Sequence, residues 1–369
     1  MPVNTDVLVV GGGVVGAACA RELALAGRSV TCVDPAVDQG QGWQAAAGLL
    51  APQIEGGEDD PLLEIGLAGR EWCVATRESL EAATGIDLKL NICGILSLAP
   101  ADSDEERLKA MVAWQRQHGL YCDWLLPDEL HQRWPWLPTA RGALYAPQDG
   151  SLDPARLVQA LVLDGGRAGV RRVEDRITEL ETDGHHVTGA RGRDRYSAST
   201  VVLAAGAWSG RIDKLPRPIS VEPVRGQMVA FPRPAELQED IIVYGGRGHY
   251  LLTRDHELIA GSTMEHAAFA SHTTPEGVAR IREGAEELCP FVRGTAPVRT
   301  WAGLRPGTPD GLPIIGPEPR MQGLWYATGH GRNGVLLAGV TAVVLLQMMK
   351  QEATLDSIAA FRPERFWNW

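Results

Sequence analysis

The chain is poor in the features that would direct it to nucleic acid, to a metal or to a membrane. Lys and Arg number 35 against 46 Asp and Glu, a formal net charge of −11. No basic cluster offsets that balance, so a nucleic-acid surface is excluded. The six cysteines, Cys19, Cys32, Cys73, Cys93, Cys122 and Cys289, are scattered. None forms C-x-x-C, and no His or Cys spacing suits zinc. His249, His256, His266, His272 and His330 are not spaced as ligands either, so no metal is expected. Reduced, mostly buried thiols in a cytoplasmic protein are the plain reading. No Ser/His/Asp or Cys/His arrangement for nucleophilic catalysis stands out. The first apolar run lacks a basic start and is cut by glycines, so no secretory signal is expected. Val335 to Met349 is short for a membrane span and reads as a buried helix, so no membrane partner is expected either.

What is there begins with ordinary globular composition, 44% hydrophobic and 22% charged in 369 residues, enough for two domains or one large α/β domain with an insertion. The opening is the most specific part. Val7 to Val10 suit a buried parallel strand. Gly11, Gly13 and Gly16 then fit G-x-G-x-x-G at the start of a helix, Val14 to Ala26, that stops at Gly27. Gly11 permits the tight turn, Gly13 lets backbone approach a pyrophosphate, and Gly16 lets helix pack on strand. The N–H groups of the helix start face the phosphates. A second strand, Ser29 to Val33, leads to Asp34, whose carboxylate can accept ribose hydroxyls. Asp34 would repel a 2′-phosphate and Pro35 to Asp38 supply no arginine, which argues against NADP. FAD and NAD both remain open on this motif.

Farther along, WQAAAGLLAP (Trp43 to Pro52) is small and apolar, suited either to a buried turn or to lying against a flat ring. Helices are expected over Pro61 to Thr84, with a stop at Gly85, and over Ser103 to Gln117, capped by Asp102 or Ser103. Asp87 to Leu98 reads as strand, and Trp124, Trp134 and Trp136 as core or interface. A helix opens at Asp153-Pro154 and runs to about Leu163. Strands follow at Val170 to Leu180, His186 to Ala190 and Thr200 to Ala204, the last running into AAGAWSG. This second glycine-ended strand puts Ala205, Gly206 and Trp208 at the edge where open parallel sheets bind ligands, and it favours FAD over NAD. From Ile219 the pattern becomes successive strands (Ile219 to Phe231, Ile241 to Tyr244, His249 to Thr253, Glu257 to Gly261), an antiparallel sheet. A helix over Pro275 to Leu288, the turn-rich RTWAGLRPGTPDGLPIIG, a strand at Leu324 to Ala327 and a loop at 329–334 complete the chain. That loop precedes a helix, whose N-terminus would stabilise negative charge gathering on a reduced flavin. Arg305 suits a carboxylate clamp, with a structural salt bridge as the alternative, and Tyr250 lies on a candidate strand.

Taken together, VVGGGVVG, QAAAGLLAP, DPARLVQAL, VVLAAGAWSG, GHYLLTR, WAGLRPGTPDGLPIIGP and GHGRNGVLL resemble the glycine oxidases of thiamine biosynthesis, within the D-amino acid oxidase and sarcosine oxidase superfamily. The resemblance spans essentially the whole chain. It implies that Gly11, Gly13, Val14, Val15, Gly16, Asp34 and Pro35 hold the ADP part of a non-covalent FAD. Gly42, Trp43, Ala46, Ala47, Gly48 and Leu49 would line the pyrophosphate and isoalloxazine, and Ile177 would contact adenine through its backbone. Ala205, Gly206 and Trp208 would also border the cofactor. His330, Gly331, Arg332, Asn333, Gly334, Val335 and Leu336 would wrap the flavin ring. Arg305 and Tyr250 would hold a substrate carboxylate, Arg332 would touch substrate, and Met264 would sit where this family closes the pocket. No acid/base residue is implied, because a flavin accepts hydride directly. Asp34 replaces a more usual glutamate, GQGWQ replaces a hydroxyl-rich run, and Leu49, Ala51, Gly248 and Gly331 alter the pocket. No cysteine lies near GLPIIGP to form a flavin thioether.

The expected fold is α/β plus α+β: an FAD-binding Rossmann-like domain of glutathione-reductase type (1–85, 149–218 and 300–369) with an inserted antiparallel-sheet substrate domain (86–148 and 219–299). The implied activity is oxidative deamination of glycine or another small amino acid by hydride transfer to flavin N5. The products are an imine or keto acid, ammonia and hydrogen peroxide, with the imine available for thiazole synthesis. Oxygen and the amine are the expected partners, in a homo-oligomer that the family makes a homotetramer. The alternatives are an oxidase or dehydrogenase for a bulkier amine (a D-amino acid, sarcosine or an N-substituted amino acid) and a non-catalytic flavin subunit relaying electrons.

Overall fold

The computed structural model describes residues 3–36 and 40–366. Val37 and Asp38, part of the arginine-free stretch after Asp34, lie outside them. Two large sheets organise the chain. In the first, the opening strand Val3–Val10 lies between Val30–Asp34 and Arg195–Leu203, parallel to both. Arg171–Glu174 extends one side. On the other side, the first half of Arg195–Leu203 pairs antiparallel with His186–Arg191, and its second half pairs parallel with Leu324–Thr328. Val7 and Val9 face one buried layer while Leu8 and Val10 face the other, as expected of a strand covered on both sides.

Helices Val14–Leu25, Pro154–Arg167 and Gly334–Lys350 cover one face of this sheet. With the turn before it, the last forms a segment, Gly331–Lys350, apolar and long enough to cross a membrane, yet Val335 to Leu345 are largely buried in the core. Helix Leu62–Thr84 packs across it, and Gly85 ends that helix in the left-handed region at φ +72°. Asp153 caps its helix as expected, accepting from the Ala155 and Arg156 N–H groups. That helix continues through Gly165-Gly166 to Arg167, past the expected end near Leu163.

The second sheet runs Gly40–Gln41, Arg299–Gly307, Glu222–Pro232, Glu257–Gly261, Tyr250–Arg254, Ile242–Tyr244, Ile95–Leu98, Ala143–Ala146, Asp123–Leu125. It is antiparallel except at two pairs: Gly40–Gln41 with Arg299–Gly307, and Ile242–Tyr244 with Ile95–Leu98. Its outer face packs on helix Pro275–Leu288, with Ile281, Ala285 and Leu288 against Val229, Phe231 and Leu251. Arg299–Gly307 and Gly40–Gln41 belong to this sheet, although the boundaries drawn from sequence group Gly40–Gln41 and all of that strand after Arg299 with the first unit.

Two local expectations fail for physical reasons. Only Ile95–Leu98 of Asp87 to Leu98 is strand, because the earlier residues find a single isolated bridge, Asn91 with Ser151. The helix over Asp102–Gln117 takes Ala101 as its N-cap without a side-chain bond. Asp102, Asp104 and Glu105 instead sit in its first turn, where the helix dipole favours them.

Candidate active site

A cavity of about 900 Å³ lies between the two sheets. At one end the glycine turn leaves the first strand. Gly11 has φ +100°, and a Cβ there would meet the Ala204 carbonyl oxygen at 2.4 Å. A Cβ on Gly16 would lie 1.9 Å from the Gly11 oxygen, so Gly16 serves helix-on-strand packing and does not line the cavity. Helix Val14–Leu25 starts at Gly13 with no side chain capping it, and Gly13, Val14 and Val15 line the cavity. The buried Asp34 carboxylate accepts the Gly12 N–H at 2.7 Å and the Ala36 N–H at 2.9 Å, which orients it at the cavity edge. Pro35 and Ile177 lie beside it, and Arg176 joins them.

Along the cavity run Gly42, Trp43, Ala46, Ala47, Gly48 and Leu49 from one side and Ala205, Gly206 and Trp208 from the other. The loop His330 to Leu336 crosses it, and helix Gly334–Lys350 starts there without a side-chain cap. His330 is buried, with Nε2 3.0 Å from Thr341 Oγ1, and burial lowers its pKa to about 3. Its ring is therefore neutral. Thr328 Oγ1 bonds Ser209 Oγ at 2.7 Å and the Gly206 carbonyl at 3.3 Å, tying the two glycine loops together.

The inner face of the second sheet forms the floor. Arg305 pairs in register with Val224, and its guanidinium leans over Gly226, where a Cβ would lie 2.1 Å from Nη1. Nη1 donates to the Thr263 carbonyl and Nη2 to Ser262 Oγ, each at 2.9 Å. Burial lowers the Arg305 pKa from its ordinary value, with Tyr250 opposing. Tyr250 is buried, and burial raises its phenol pKa, with Arg305 opposing, so it keeps its proton. Its ring lies 5.5 Å from that of Tyr244. Tyr244 in turn donates to Glu55 Oε1 at 2.7 Å, and Glu55 Oε2 lies 3.2 Å from Arg332 Nε. Arg332 thus already has a carboxylate partner, and its side chain is 54% exposed. Met264, 65% exposed, stands where a second cavity of about 770 Å³ adjoins the first.

A family model described as FAD dependent oxidoreductase matches residues 6–348. The chain belongs to this family. It is 32% identical to a glycine oxidase of Geobacillus kaustophilus over 362 residues, covering 96% of each chain. The crystal structure of glycine oxidase from Geobacillus kaustophilus superposes with a TM-score of 0.93 at 30% identity, covering 99% of this chain and all of the other. A bifunctional protein ThiO/ThiG of Synechocystis is 32% identical over 99% of this chain, which spans 55% of that protein. The mixed α/β architecture is the one expected.

The FAD-dependent oxidoreductase site fits its cofactor. Two helix N-termini reach the cavity with no side chain capping their N–H groups, one where a pyrophosphate is expected and one at the far loop. Small residues from Ala45 to Gly48 keep the wall between them flat. Apart from Gly16, every residue expected to bind cofactor or substrate lines this one cavity. Sequence reasoning passed over Glu55, Tyr244, Ser262, Thr263 and Arg176. Tyr244 sits in an expected strand, and Glu55 ends the short helix Pro52–Glu55, which carries no motif. Ser262 and Thr263 directly precede Met264, the one residue of that turn with an implied role.

Proposed function

We propose that this chain oxidises glycine, or another small amino acid, at its amine-bearing carbon, and that Arg305 and Tyr250 hold the substrate carboxylate. The observation that carries this reading is the pair itself: a half-buried guanidinium and a neutral phenol on one sheet face, across the cavity from the flavin loops. Arg305 offers two-pronged donation to a carboxylate and Tyr250 a third donor. Fixing the carboxylate on the floor orients the Cα–H bond toward the opposite wall, and the apolar lining limits water. The flavin, when bound, supplies the two-electron acceptor. Glycine loses two electrons and two protons to give the imine. Water then releases glyoxylate and ammonia, and oxygen takes the electrons to form hydrogen peroxide. The glycine oxidase relatives support this substrate, and the fused ThiO/ThiG relatives support delivery of the imine to thiazole synthesis. The six free thiols support a cytoplasmic setting.

A second reading, oxidation of a bulkier or N-substituted amine, is favoured by one feature. A Cβ built on Gly248 or Gly331, both lining the cavity, meets nothing within 4 Å. An amine panel decides between them. Peroxide formation and anaerobic bleaching of the flavin band with glycine support the first reading. Faster turnover of sarcosine or D-alanine supports the second, and no bleaching with any small amine removes both.

A further inference from the structure

We infer that a buried polar cluster centred on Asp149 positions the turn that carries Glu55, so that Glu55 can fix Tyr244 and Arg332 beside the substrate. The inference rests on the carboxylate reading above. Ala51, Ile54 and Glu55 line the cavity, and they belong to or adjoin the single helical turn Pro52–Glu55. An isolated turn of this length is not stable in water. Its own backbone supplies two bonds, Glu55 N–H to the Ala51 carbonyl and Gly56 N–H to the Pro52 carbonyl, each at 3.0 Å. The N–H groups of Gln53 and Ile54 are left over, as at any helix start. Ala51, in the N-cap position, has no side chain to accept them. Asp149 Oδ2 accepts both at 3.1 Å, from nearly a hundred residues farther along the chain.

Asp149 is itself placed by elements outside the turn. It follows strand Ala143–Ala146 of the second sheet, and its carbonyl accepts the Gly94 N–H at 3.0 Å. Its other carboxylate oxygen accepts Arg70 Nη1–H at 2.6 Å, from helix Leu62–Thr84. Arg70 Nη1 also donates to Gln53 Oε1 at 2.8 Å. Gln53 Nε2 donates to Gln115 Oε1 at 3.1 Å, and Gln115 Nε2 donates back to the Gln53 carbonyl at 2.7 Å. Asp149, Gln53 and Gln115 are fully buried and Arg70 nearly so. A buried ion pair recovers little beyond its desolvation cost. Net stability therefore accounts poorly for this cluster, whereas its geometry fixes one turn from three directions. None of the four side chains lines the cavity, so any effect on a ligand passes through the turn. At its inner end Glu55 accepts from Tyr244, whose ring lies 5.5 Å from that of Tyr250, and pairs with Arg332.

The test uses the holoenzyme with Asp149→Asn, Gln115→Met and Arg305→Ala, the first two also in a Glu55→Met background. KM and kcat for glycine, the Kd of acetate read from the flavin spectrum, flavin content and Tm are measured. Asp149→Asn is expected to raise KM and the acetate Kd about tenfold, and Gln115→Met about threefold, with flavin content unchanged. In the Glu55→Met background either change should move KM and Kd by less than about twofold, while its Tm loss stays the same. A merely structural role would move Tm and leave that contrast between backgrounds absent. Unchanged KM and Kd in both variants, or the same fold rise with and without Glu55, would overturn the assignment. If Asp149→Asn does not fold, Gln115→Met, which leaves the ion pair in place, decides by the same two criteria. Arg305→Ala separates the two levels. If it leaves KM unchanged, the carboxylate reading itself fails; if it raises KM while Asp149→Asn and Gln115→Met do not, only the role of the cluster falls.

Discussion

Arg305 is a half-buried charge with no carboxylate of its own: its bonds go to a carbonyl and a hydroxyl. A partly desolvated guanidinium with no anionic partner is costly unless a ligand brings one. Arg332, by contrast, is paired with Glu55 and more than half exposed. Arg305→Ala is therefore expected to raise KM for glycine by about 100-fold or more, about 3 kcal/mol, in steady-state peroxide assays. Arg332→Ala should cost less. His330 sets a different expectation. Its pKa falls from 6.5 to about 3 in the fold, so the unfolded chain takes up a proton that the folded chain refuses. The stability this neutral ring contributes is fully present above pH 6.5 and is lost progressively as pH falls toward 3. Between pH 7 and 5 the loss is about 2 kcal/mol at ~1.4 kcal/mol per unit. Thermal melts at the two pH values should show a smaller acid penalty for His330→Gln than for the native protein.

At the level of elements, helices with strong local signals were legible. Pro275–Leu288 begins where Thr274 and a first-position proline place it, and Thr274 Oγ1 accepts the Gly277 N–H. The irregular run before Ile95 was not, because alternation of apolar residues cannot report whether a partner strand lies alongside. Glycines within helices were equally opaque. Gly339 looks like a mild defect in an apolar helix, yet its missing side chain admits Trp72 of the crossing helix. A Cβ there would lie 1.9 Å from the indole. Gly339→Ala is expected to destabilise by about 1–3 kcal/mol through overpacking, seen as a lower Tm. Trp72→Phe in the same chain should recover part of it.

Across the whole molecule, Arg254 ties the second sheet to the loops at Ala47 and Leu152. It comes from the strand that carries Tyr250, is largely buried, and donates through Nη2 to the Ala47 carbonyl at 2.6 Å and the Leu152 carbonyl at 2.7 Å. Ala47 lines the cofactor cavity, so one guanidinium sets the spacing between the substrate floor and the cofactor wall. Arg254→Met removes both bonds and leaves two buried carbonyls unpaired. FAD is expected to dissociate more readily, by about tenfold in a fluorescence titration, with a Tm loss larger than that of any exposed arginine.

The cofactor end was determined by the sequence alone. A phosphate cradle is a strand, a turn and a helix start within a few residues, and its geometry follows from glycine placement and an uncapped helix. Gly11, Gly13, Gly16 and Asp34 are therefore readable in order. The substrate end was decided by tertiary structure. Tyr244, Tyr250 and Arg305 are scattered along the chain, and the register of a nine-stranded sheet brings them together, with Glu55 reaching Tyr244 from the short helix Pro52–Glu55. Register is a long-range property that depends on which strands neighbour one another, and no local pattern encodes it. The resemblance to known oxidases pointed to Arg305 and Tyr250. The room that Gly226 leaves for the Arg305 guanidinium, and the pairing of Arg332 with Glu55, emerged only from the tertiary structure.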